Sequence, residues 1–120
     1  MKLDFHETQY AGDFEACADI PDSWGFSPER AARHFLRFKA YDTSCLENER
    51  EKELAARGIG FECFVWFGEY SDCVLTPVCQ IAHFVADTRE HAEGRFAELA
   101  AEYDNAVPDV LLKARDGHLG

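Results

Sequence analysis

The sequence predicts a single α+β domain, with a mostly antiparallel sheet of about four to five strands and two to three helices packed on it. Three observations lead there. Short segments alternate apolar and polar residues at the strand period, helix-capping patterns precede periodic apolar stripes, and 120 residues are enough for one core but not for two. The 47% hydrophobic share, with ten Phe, four Tyr and two Trp, can fill that core. No stretch is rich enough in Pro, Gly or Ser to act as a linker and no repeat is visible, so residues 1–120 are taken as one domain.

Residues 2–10 and 14–20 are expected to form a hairpin around Ala11-Gly12-Asp13, because Phe14, Ala16, Ala18 and Ile20 alternate with Glu15, Cys17 and Asp19. Ser27-Pro28 has the form of a helix start, with a hydroxyl at the N-cap and proline at the first helical position. From Glu29 to Tyr41, Ala31, Ala32, Phe35, Leu36 and Phe38 share one side at 3.6 residues per turn, with Arg30, Arg33 and Arg37 opposite, which predicts an amphipathic helix. Ser44-Cys45-Leu46-Glu47 resembles a capping box for a second, highly charged helix that Gly58 ends.

Residues 60–68 are apolar on both alternating faces, Phe61, Cys63, Val65 and Phe67 against Phe64 and Trp66, as in a central strand covered on both sides. Glu69–Asp72 turns the chain into a second apolar run, 73–86. The connection is too short for a parallel crossover, so 61–67 and 73–85 are expected to pair antiparallel, with Pro77 at a bulge or an edge. Whether 73–86 is core or interface stays open. Asp87-Thr88-Arg89-Glu90 caps a last helix whose stripe is Ala92, Phe96, Leu99 and Tyr103, and a final strand is expected after Pro108. The predicted order is ββααββαβ.

Charge is the strongest global feature. Twelve Lys+Arg against 23 Asp+Glu leave −11, the wrong sign for holding nucleic acid or an anionic membrane directly. Residues 1–26 carry −5 and residues 87–106 carry −4, whereas 27–58 carry +1. If the two acidic segments adjoin, they form one anionic face. Asp13, Glu15, Asp19, Asp22, Glu90, Glu98 and Glu102 are then the expected partner-binding residues, with Trp24 and Phe26 as aromatic anchors. The alternative is a solvated acidic surface with both aromatics in the core. Arg30, Arg33 and Arg37 either pair with the chain's own acids or hold an anion.

No catalytic, cofactor or metal residue is assigned. Cys63, Cys73, Cys79 and His83 are spaced ten, six and four apart on strands, unlike zinc knuckles. Five cysteines with no paired motif point to free thiols. A Cys–His nucleophile from Cys79 and His83, or Cys17 and His6, would sit in a negative field that opposes thiolate formation. Glu62, inside an apolar strand, needs a cation, for which Arg33 or Arg37 is the expected partner. Gly58-Ile59-Gly60 lacks the residues of a phosphate loop.

The N-terminus has no signal-peptide layout and no apolar run reaches the ~18–20 residues of a bilayer span, so a cytoplasmic protein is expected. In size, charge and lack of motif the chain is similar to inhibitory proteins such as phage anti-CRISPR proteins, nucleic-acid mimics and toxin-immunity proteins. That likeness implies a non-catalytic protein that binds and blocks the basic surface of a nucleic-acid-handling partner. A small enzyme or ligand-binding domain using Cys, His or Arg is the competing expectation.

Overall fold

Five strands pair in chain order, each antiparallel to the next: β1 (His6–Glu7), β2 (Phe14–Asp19), β3 (His34–Asp42), β4 (Phe61–Ser71) and β5 (Val74–Ala86). The structure, a computed structural model, describes residues 1–45 and 48–112. Three helices accompany the sheet: α1 (Pro28–Ala31), α2 (Glu49–Ala56) and α3 (Arg89–Asn105), with short 3-10 turns at Asp22–Trp24, Thr43–Cys45 and Asp109–Leu111. The domain is α+β, as its sequence predicts.

Register decides the core. Phe14, Ala40, Cys63 and Phe84 form one row across β2 to β5, and Ala16, Phe38, Val65 and Ala82 form the next. These side chains point to one face, where α3 lies on them through Ala92, Phe96, Leu99, Ala100 and Tyr103. Phe96 is the hub, with its ring 5.0 to 5.7 Å from those of Phe5, Phe38 and Phe84. Thr88 caps α3 by accepting the His91 N–H, so the expected start and stripe of this helix are both present.

One predicted helix is largely a strand. Ser27 accepts from the Arg30 N–H and starts α1, but only one turn forms before β3 takes over at His34. The reason is visible in HFLRFKAYD, whose apolar residues satisfy both periods. At a period of two, Leu36, Phe38 and Ala40 enter the core while Phe35, Arg37, Lys39 and Tyr41 face away. Pairing with neighbours on both sides outweighs the helical stripe. β3 is therefore the middle strand, and β4, expected at the centre, stands next to it.

Smaller corrections follow the same logic. β1 is two residues long rather than nine. α2 starts at Asn48, whose side chain accepts the Glu51 N–H, rather than at Ser44. Ser44 and Cys45 belong to a 3-10 turn, and the Leu46-Glu47 part of the expected box lies outside the described residues. Asp109–Leu111 is a 3-10 turn where a strand was expected, and 113–120 lie outside the described residues.

β4 and β5 pair antiparallel as expected, through a tighter and later turn at Asp72 and Cys73. Both adopt positive φ, 48° and 68°, as a two-residue hairpin turn demands. Two register shifts interrupt the pair: Trp66 meets Gln80 while Val65 meets Ala82, and Gly68 meets Pro77 while Phe67 meets Cys79. Ile81 and Val78 are thus the extra residues of two bulges, the second beside Pro77 on an edge strand.

Two substitutions test this hairpin from opposite sides. Cys73→Gly should raise stability by up to about 1 kcal/mol, because glycine relieves the left-handed strain of a side-chain-bearing residue. Gly68→Ala should lower it by ~1–3 kcal/mol, since a methyl there would sit 2.3 Å from the ring of Phe35, itself held under Tyr70. Urea unfolding of the two variants should move the midpoint in opposite directions.

Candidate functional site

The second face of the sheet has no α3 over it. β4 was expected to be covered on both sides, but Phe64 and Trp66 stand half-exposed on this open face. Their rings stack at 5.7 Å, and Tyr41 meets Phe64 edge-on at the same distance. His83 packs against Phe64 at 4.8 Å. α2 borders one end of the face and buries Leu54 apart from the main core.

Two groups of charged side chains on the open face are matched. Glu15 receives Arg37 and, at 4.0 Å, Lys39. Burial works to raise the Glu15 carboxyl, but the Arg37 hydrogen bond and the charges of Arg37, Lys39 and His6 outweigh it and hold the group below its ordinary value. Glu62 accepts Arg50 Nε at 3.0 Å and lies 3.0 Å from His83 Nε2. The Arg50 hydrogen bond lowers its pKa, burial opposes this, and His83 lowers it further. The side chains that meet Glu62 are therefore Arg50 and His83, not Arg33 or Arg37. Strand geometry is the reason, because it places Arg37 opposite Trp66, four positions along β3 from Tyr41, the residue that pairs with Glu62.

The expected partner-binding residues are divided. Asp13 is buried and accepts the Asp42 N–H at 2.8 Å, and Glu15 is buried beneath its two cations. Trp24 is 0% exposed, donates its indole N–H to the Tyr103 carbonyl and packs on the Tyr103 ring. It is a core residue rather than an anchor. Phe26 is half-buried against Trp24, His34 and Phe67, with Arg30 5.2 Å over its ring. The remaining acids face solvent: Asp19 at the end of β2, Asp22 in the following 3-10 turn, and Glu90, Glu98 and Glu102 along α3. Ser23 and Trp24 dock that turn on the last turn of α3, whereas Glu90 lies ~18 Å away at the other end of the helix. Arg30, Arg33 and Arg37 form no stripe once β3 is a strand.

The thiol candidates separate as well. The bulge at Ile81 reverses alternation, so Cys79 pairs with Phe67 on the core side while His83 pairs with Phe64 on the open side. Burial, with Glu62 adding to it, pushes the Cys63 thiol up to about 12. Burial and then Glu15 raise Cys17, with Arg37 in opposition. Among the described residues, no three His, Cys, Asp or Glu side chains gather closely enough to hold a metal ion.

The aromatic row Tyr41, Phe64 and Trp66 was not singled out by sequence reasoning. Its signal lay in Arg37, Lys39, Glu62 and His83, which share that face and mark it as wet.

Acid should weaken the fold through Glu15 and Glu62. Both folded carboxyls titrate below their ordinary value of 4.5, so the unfolded chain takes up protons first. Their stabilisation is full above that value and is lost as pH falls through the lower folded values. Melting temperatures measured from neutral pH down to ~3 should fall less steeply for Glu62→Gln than for the parent chain.

No helix among the described residues is long and apolar enough to cross a membrane. No protein-family model, curated protein or solved structure matches the chain.

Proposed function

We propose that the chain is a non-catalytic binding protein that docks on the basic surface of a nucleic-acid-handling partner and blocks it, in the manner of a nucleic-acid mimic or an anti-CRISPR-type inhibitor. The observation that carries this reading is the disposition of its cations. Arg37, Lys39, Arg50, Lys52, Arg89 and Arg95 all lie against the chain's own carboxylates. The acidic excess is therefore turned outward. No cation among the described residues comes within ion-pair reach of Asp19, Asp22, Glu90 or Glu102, and all four are exposed. Such a field attracts and orients a basic surface, and surfaces that hold phosphate are strongly basic. A toxin-immunity protein facing a nucleic-acid-cleaving toxin would use the same chemistry.

The docking residues are accordingly Asp19, Asp22, Glu90, Glu98 and Glu102. Asp13, Glu15 and Trp24 belong to the fold instead. Reversing Asp19, Asp22, Glu90 and Glu102 to Lys should leave the melting temperature nearly unchanged, since exposed substitutions shift stability by only ~0.5 kcal/mol. Capture of the partner should fall about tenfold or more, and should also fall as salt rises from ~0.05 to ~0.5 M, where screening lengths shrink well below the span of α3. Added duplex DNA should compete. A captured partner indifferent to salt, to the reversals and to DNA would sink the proposal, as would turnover of a small molecule that depends on Cys17 or His83.

A further inference from the structure

Between α2 and the open face of the sheet runs a groove that the acidic side of α3 does not explain. Two depressions of about 400 and 280 Å³ meet at Tyr41, Asp42 and Glu51, which line both. The larger continues over Phe64 and Trp66, and the smaller continues to Tyr10. Tyr10 and Tyr41 are 61% and 42% exposed, so the rings are presented rather than packed away.

Among the described residues the charge of this groove is mostly acidic. Its charged side chains there are Asp13, Asp42, Glu51 and Glu62, with Arg50 on Glu62 and Lys39 over the Tyr41 ring. An aromatic face is the negative side of the ring quadrupole, so rings and carboxylates here favour the same kind of guest. The chain supplies an internal example: Lys39 Nζ lies 5.2 Å over the centre of the Tyr41 ring. An anionic or purely apolar guest would have to sit beside the carboxylates uncompensated.

We propose that this groove receives arginine side chains from an extended basic segment of the partner, with guanidinium planes stacked on Tyr41, Phe64 and Trp66 and Asp42 and Glu51 alongside. Arginine suits it better than lysine, because a planar guanidinium stacks on a ring and sheds water more readily than an ammonium. The proposal rests on the reading that the partner is basic. It adds a recognition element that general acidity lacks.

The probe is a short peptide of alternating glycine and arginine, with glycine–lysine and glycine–glutamate peptides of equal length, titrated in about 0.15 M salt, where the Debye length is near 8 Å. The chain has two indoles, and they make an internal control in the unaltered protein. The Trp66 indole N–H should shift on adding the arginine peptide while that of Trp24, buried in the core, stays in place. Trp66→Leu and Tyr41→Leu should each weaken binding roughly fivefold or more, and the lysine peptide should bind less tightly. Glu90→Lys with Glu102→Lys should change it by less than about twofold, because those residues stand on α3, which packs on the face of the sheet opposite Phe64 and Trp66.

An unmoved Trp66 resonance at the highest arginine peptide concentration would overturn the proposal, and so would preferential binding of the glutamate peptide. If the peptide perturbs only α3 and is lost on the α3 reversals, the groove is wrong while the basic-partner reading stands. If Trp66 responds but the captured partner ignores salt and DNA, the groove holds and the wider reading fails.

Discussion

One helix for two faces is the constraint on which this structure depends. A five-stranded sheet has two surfaces to satisfy, and α3 covers only one, through the stripe from Ala92 to Tyr103 centred on Phe96. The uncovered surface has to be stable in water while still carrying half of the alternating side chains of β3 and β4. It does so by pairing: Glu15 with Arg37 and Lys39, Glu62 with Arg50 and His83, and rings against rings at Tyr41, Phe64 and Trp66. Phe35 shows the same economy on a small scale. It sits on the open face yet is 1% exposed, because Gly68 leaves room beneath it and Tyr70 closes over it.

How far the sequence discloses this depends on how many neighbours a segment has. α3 was legible because its cap and stripe are local properties, complete within residues 88–103. The β4–β5 hairpin was legible because a short connection permits nothing else. β3 was not, since HFLRFKAYD fits a helical and an extended period equally well, and only β2 and β4 on either side select the strand. That error spread to the site. With 29–41 as a helix, Arg37 had no reason to meet Glu15, and Glu62 had no reason to meet Arg50 across the chain. Trp24 was ambiguous for another reason, because the loop around it says nothing of the Tyr103 carbonyl that receives its indole N–H.

Charge distribution ties these points to function. A chain with 23 acids and 12 bases cannot neutralise itself, so what matters is where the bases go. Those at the sheet are drawn inward to Glu15 and Glu62, where partial burial makes a lone carboxylate costly. Many of the acids left over are exposed, on the outer side of α3, on α2 and around Asp19 and Asp22. The fold's own electrostatic needs thereby produce an outward negative field without any residue being set aside for it.

β5 carries a different consequence. It is a thirteen-residue edge strand with no Asp, Glu, Lys or Arg in its sequence, and Val74, Leu75, Val78 and Val85 are exposed along it. A straight edge of that composition would offer its free N–H and C=O groups to any passing extended chain and would template cross-β stacking. Pro77 removes one donor, and the bulges at Val78 and Ile81 break the row on either side of Cys79. These irregularities, which cost the hairpin some regular pairing, act as the chain's gatekeepers against aggregation in place of the lysines that edge strands usually carry.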